Sequence, residues 1–125
     1  MLRPFRSAVT CLAGGVARGA ELLVAGSADS SVRVFRILAA KNQYPLVKSF
    51  RESSSVPAVD AVWLEGHLVL AAYSDQVLKV WSLASGACLR RLASGHTDTI
   101  AGVAVGPEAF YTAAHDGTLR RWHFA

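Results

Sequence analysis

The sequence predicts an all-β chain built from a repeated unit, and three observations carry that prediction. An apolar strand, a polar turn centred on Asp and a second strand ending in an aromatic residue occur together three times. The turn aspartates Asp29, Asp75 and Asp116 stand 46 and 41 residues apart, and Phe35, Trp81 and Trp122 each follow their Asp by six positions. The apolar runs are strand-sized, Leu68 to Tyr73 being typical, and none reaches the roughly 18 residues that span a bilayer.

The units run from Leu22 to Phe35, from Leu68 to Trp81 and from Ala109 to Trp122. An Asp at a tight turn bonds its own neighbouring backbone, which lets the flanking strands pair as a hairpin. Side chains alternate between the two faces of a strand. These strands show little polar alternation, which fits a sheet covered on both faces. Val9 to Ala13, Ala58 to Leu64 and Thr99 to Val105 read as strands preceding the hairpins, and Leu46 to Phe50 and Ala87 to Leu92 as strands following the first two. Leu38 to Tyr44 reads as a surface loop, Ser53 to Pro57 and Ser94 to Asp98 as linkers, and Gly14-Gly15 as a strand-to-strand connection. No segment reads as a helix. Four strands in a period of forty-odd residues match one blade of a β-propeller. The chain then divides, within a single domain spanning 1–125, into repeats at about 7–51, 56–93 and 95–125.

Composition narrows the class. With 52% hydrophobic and 18% charged residues among 125, the chain is not of disordered type. The net charge is +4, carried mostly by scattered arginines, which suits a solvated surface. Arg33, Lys79 and Arg120 recur at one strand position, where the stem is expected to pack and the head to reach water; a ring that captures phosphate or an acidic peptide is the competing reading. Cys11 and Cys88 lie in apolar runs without metal spacing and read as small buried hydrophobes in a reducing cytoplasmic or nuclear setting. The first twenty residues are basic and acid-free, like a transit peptide, but a strand at Val9 to Ala13 explains them better.

These residues resemble the WD-repeat (β-transducin-like) propeller family across nearly the whole chain. The third repeat matches best, through Gly95-His96, Thr112, Asp116 and Trp122. The resemblance implies that His96, Thr112, Asp116 and Trp122 form a hydrogen-bonded structural tetrad, His to Asp and Thr, and Thr towards the indole. The second repeat keeps Asp75 and Trp81 but has Ala71 at the hydroxyl position and lacks the Gly-His pair; the first keeps Asp29 but has Ala25 and Phe35. The Asp that follows Trp in the family is replaced by Arg36, Ser82 and His123. Arg121 stands where Val34 and Val80 stand in the sister repeats.

The fold expected is therefore a partial propeller of about three four-stranded blades, the last lacking its outer strand. Propellers close with about four to eight blades. The chain thus reads either as the C-terminal part of a larger propeller, which is favoured, or as a self-associating chain, two copies of which would give six blades. Met1 to Arg6 read as the tail of an outer strand.

No catalytic, cofactor or metal residues are expected. The His115-Asp116 pair lies in a turn without the further ligands that metal chemistry needs, and His67 reads as an exposed turn residue. Ser53-Ser54-Ser55 is a polar linker. The resemblance implies a non-enzymatic scaffold that binds proteins or peptides through loops on one face. The candidate contacts are Ala28, Ser74 and His115, each just before a turn Asp, and Ser7, Ser55 and Thr97, near the start of each first strand. The alternatives are a substrate-recruiting adaptor of a ubiquitin ligase, for which neither an F-box-like helix nor a Trp-Asp-x-Arg motif is present, and a module binding phosphate or nucleic acid. Nucleic acid is disfavoured, because Phe35, Trp81 and Trp122 read as packed strand residues rather than stacking platforms.

Overall fold

The computed structural model describes residues 8–17, 19–51 and 58–123. Eleven strands form three antiparallel sheets. The first sheet holds β1 (Val9–Ala17), β2 (Ala20–Ser27), β3 (Val32–Arg36) and β4 (Leu46–Phe50). The central sheet holds β5 (Val59–Glu65), β6 (Leu68–Tyr73), β7 (Val77–Ser82) and β8 (Cys88–Ala93). The last sheet holds β9 (Ile100–Val105), β10 (Ala109–Ala114) and β11 (Leu119–His123). In each sheet the strands pair in chain order, so every connection is a local hairpin. The all-β, partial-propeller architecture is thus the one the repeats predict. Among the described residues, the last sheet has three strands.

The expectation for Gly14 and Gly15 needs correcting. Gly14 and Gly15 are not a connection; they lie inside β1, paired with Leu23 and Leu22. The physical reason is close packing, since a Cβ on Gly15 would lie 3.0 Å from Leu64 Cδ2 of the central sheet. The loop after β3 lies at the surface, as expected, and has a defined local form. Leu38 pairs with Gln43 around a short 3-10 turn at Ala39–Lys41, closed by Asn42 in the left-handed region (φ 50°).

The sheets stack face to face through two apolar layers. Between the first and central sheets lie Leu22, Val24, Val32, Val34 and Phe50 against Val62, Leu64, Val69, Ala71 and Trp81. The Phe50 ring stacks on Trp81, with centroids 5.2 Å apart. Between the central and last sheets lie Leu70, Leu78 and Val80 against Ile100, Val103 and Phe110. Each fully buried Val, Leu or Phe contributes about 1.5–3 kcal/mol. The central sheet is covered on both faces, which is why β6 and β7 read as almost unbroken apolar runs.

The three Asp turns share one geometry. Asp29 Oδ1 accepts from Ser31 N–H (2.9 Å), Asp75 Oδ1 from Val77 N–H (3.2 Å) and Asp116 Oδ1 from Thr118 N–H (2.9 Å). The residue after each Asp is left-handed: Ser30 at φ 71°, Gln76 at 61° and Gly117 at 83°. Only the third turn uses the residue type that adopts this region without steric cost.

A second regularity lies at the start of each first strand. The pairing slips by one residue between Val9 and Cys11, between Val59 and Ala61, and opposite Ala113 and Ala114. The extra residues are Thr10, Asp60 and Ala101. A bulge of this kind re-aims a side chain that would otherwise follow the strand's alternation.

Candidate functional site

The bulges converge on one feature. Thr10, Asp60 and Ala101 all line an open cleft of about 490 Å³, walled by β1, β5 and β9, the first strands of the three sheets. Asp60 is the charged group of this cleft. Its Oδ2 is buried without a hydrogen-bond partner among the described residues. Burial pushes its carboxyl above the ordinary range; His115 nearby opposes the shift and Asp75 adds to it. Beside it, burial also raises the Cys11 thiol above its ordinary range. Thr10 Oγ1 donates to the carbonyl of Val59, tying the first two bulges together.

Around this cleft the turn residues are held alike. Ala28 N–H donates to Ala8 O (2.9 Å), Ser74 N–H to Ala58 O (2.8 Å) and His115 N–H to Thr99 O (2.8 Å). Each Asp turn is therefore tied to the residue just before its own first strand, so the turns and the strand starts share one end of the sheets. Ala28, Ser74, Thr97 and His115 are all exposed there. Ser7 and Ser55 lie outside the described residues, as do Met1 to Arg6 and the Ser53 to Pro57 linker. Asp60 and Thr10 were not among the residues picked from sequence. A bulge leaves no mark in hydrophobic pattern, so only the register of the folded pair reveals them.

The residues singled out in the third repeat meet. His96 Nε2 lies 2.8 Å from Thr112 Oγ1, Trp122 Nε1 donates to the same oxygen at 3.0 Å, and His96 Nδ1 lies 3.1 Å from Asp116 Oδ2. With the indole N–H donating to it, the hydroxyl still has its own proton to give to His96 Nε2, an arrangement in which Nδ1–H faces Asp116. Asp116 also accepts from the Thr118 hydroxyl and from Thr97 N–H (3.0 Å). Led by the Thr118 hydroxyl, these bonds hold its carboxyl far below the usual range. His96 is fully buried at its side chain and Asp116 is 9% exposed, so the chain runs from the interior to the turn.

The central sheet solves the same problem differently. Ala71 offers no oxygen, and Trp81 Nε1 instead donates to Tyr73 Oη at 3.2 Å, a bond that no sequence pattern flagged. Lys79 does not send its head to water as expected: the residue is 5% exposed and its Nζ lies 4.3 Å from the Tyr73 ring centroid. The aromatic face attracts the ammonium and the stem packs, which makes burial tolerable. Arg120 is exposed and donates to Gly95 O (3.1 Å), Arg33 is half-buried, and Arg121 is exposed opposite Tyr111. The three basic residues therefore do not form one solvent-facing ring.

The comparison with family models decides the lineage. The WD40 model (WD domain, G-beta repeat) matches residues 2–36 and 86–123, more than half of the chain. The chain belongs to the WD40 repeat family. WD40 repeats mark protein-interaction scaffolds, and members of the family are generally non-enzymatic. Among curated relatives, the nuclear distribution protein PAC1 of Zygosaccharomyces rouxii is 32% identical over 111 residues, covering 82% of this chain and 24% of that protein. PAC1 of Arthroderma otae is 30% identical over 118 residues, covering 86% and 25%. The F-box/WD repeat-containing protein sel-10 of Caenorhabditis elegans is 30% identical over 103 residues, covering 82% and 17%. The chain thus spans a quarter or less of the length of these relatives. Among the described residues, no helix is long and apolar enough to cross a membrane.

Proposed function

We propose that the chain is a non-enzymatic WD40 platform whose turn-bearing end binds a peptide or protein partner within a larger assembly. The observation that carries this reading is the convergence of three bulged first strands on one cleft, with the buried Asp60 Oδ2 in its wall and exposed Ser74, Thr97 and His115 at the same end of the sheets. A partner's cationic or amide donor would supply the bond that Asp60 lacks, and an unmade bond of this kind is costly. The three backbone ties at Ala8, Ala58 and Thr99 fix the turns to the strand starts, and a fixed surface loses less entropy on binding. Self-association remains a further element of the proposal. A second reading, a recruiting surface of a ubiquitin ligase, has the match to an F-box/WD repeat-containing protein in its favour.

The test is a peptide array probed with the 125-residue chain, repeated with Ser74→Arg and His115→Glu, both surface changes. Captured peptides should bind at least about tenfold more weakly to both variants. Undiminished binding to both, with unchanged circular dichroism, would overturn the reading.

A further inference from the structure

A second cavity lies away from the cleft, against the turn that joins β5 to β6. It has a volume of about 310 Å³ and is walled by Ala17, Ala20, Leu22, Val47 and Leu83, with Arg36 and His67 completing its lining. Its origin is a difference between two sister hairpins. In the central sheet the β5–β6 pairing ends at Glu65 opposite Leu68. In the first sheet Leu22, the counterpart of Leu68, pairs with Gly15, and the ladder continues through Val16 opposite Glu21 to Ala17 opposite Ala20. The first hairpin therefore overhangs by two residue pairs. It ends in alanines, which are too small to fill the space between the overhang and the neighbouring turn.

Among the described residues, Arg36 is the one charged side chain of the lining. Arg36 is exposed and pairs with Leu22 across the ladder, at the position where Ser82 is buried in the central sheet. His67 is exposed in the facing turn. Glu65, at the end of β5, accepts from Trp63 Nε1 (3.2 Å) and does not line the cavity. The walls thus take an aliphatic group, and the lip takes an anion next to it.

We propose that this cavity is a second docking socket for a short segment of a partner protein that carries a bulky aliphatic side chain flanked by carboxylates. Leu or Ile fills the alanine-walled space, and the flanking Asp or Glu meets the Arg36 guanidinium, with the His67 ring beside it. The site is separate from the turn-bearing end and does not depend on what binds there.

Two-dimensional amide NMR of the full chain tests it, because a single-residue anchor binds weakly, on the order of millimolar. The probe is the blocked tripeptide Asp-Leu-Asp, with Asp-Ala-Asp and Lys-Leu-Lys as comparisons. Saturable shifts at the amides of Ala17, Ala20, Arg36, His67 and Leu83 are expected with the first probe and should be at least about tenfold weaker with the others. Arg36→Glu should reverse the charge preference, and Ala20→Leu should abolish binding by filling the socket while leaving amide dispersion intact. Equal response to Lys-Leu-Lys, shifts only around Asp60 and His115, or no saturation at about 5 mM peptide would overturn the proposal. If Ala20→Leu unfolds, Arg36→Glu alone decides through the sign of the charge preference.

Discussion

Replacing Thr112 with Val deletes one oxygen, keeps the side-chain shape and breaks two hydrogen bonds at once. Thr112 is 1% exposed, and its hydroxyl is shared by His96 Nε2 and Trp122 Nε1. The His96 ring is fully buried, so its Nε2 is left without a partner and loses about 1–3 kcal/mol. Trp122 is only half-buried and its N–H can recover part of its bond from water. The extra methyl of Val returns a little through burial. The net expectation is a loss of about 2–3 kcal/mol, which for a chain of this length lowers Tm by roughly 6–15 °C. Thr112→Ser keeps the oxygen and loses one methyl, at about 1 kcal/mol. Urea denaturation monitored by tryptophan fluorescence separates the two variants. If Thr112→Val stays within about 0.5 kcal/mol of the parent, or if Ser is the more damaging change, the hydroxyl is not the link that joins the imidazole to the indole.

Two further outcomes follow from the turns and the cleft. Gln76 holds φ 61° with a full side chain, so Gln76→Gly relieves backbone strain while adding unfolded-state freedom and losing the Gln76 Nε2 bond to Ser74 O; a net gain of about 0.5–1 kcal/mol is expected in urea denaturation. Asp60 has its folded carboxyl pKa raised above the unfolded value, so its ionised form weighs against folding above that raised pKa, and the penalty fades as pH falls through it. Asp60→Asn should therefore raise the denaturation midpoint at pH 7, and the gap to the parent should close towards pH 4; a gap independent of pH would refute this.

What the sequence made readable is what is local. The Asp turns are set by one side chain bonding a backbone N–H two residues on, and all three were found from Asp29, Asp75 and Asp116 alone. The hairpins followed from the apolar runs on either side. What stayed hidden depends on partners distant in sequence or on register. Tyr73 replaces the missing hydroxyl at Ala71 because its ring reaches across the sheet face to Trp81, and spacing alone does not announce that reach. Lys79 is buried because Tyr73 lies beneath it. Gly14 and Gly15 look like a turn, yet they are strand residues, and Gly15 leaves the room that Leu64 needs. Thr10 and Asp60 enter the cleft only through bulges. The family model is blind in a related way: β5, β6 and β7 fall outside both of its matches, although their sheet repeats the topology of the first.

The matched stretch 86–123 begins before β8 and ends with β11, so the unit defined by sequence is out of step with the sheet defined by pairing. Its opening strand belongs to the central sheet, where Leu92 faces Leu78, while the rest of it builds the next sheet. The hinge between those two parts carries Gly95 and His96, and His96 is the residue that locks its own downstream sheet. This unit therefore spans two sheets rather than one. A cut just before β8, where the matched unit begins, would strip the central sheet of its fourth strand while leaving the His96 network whole.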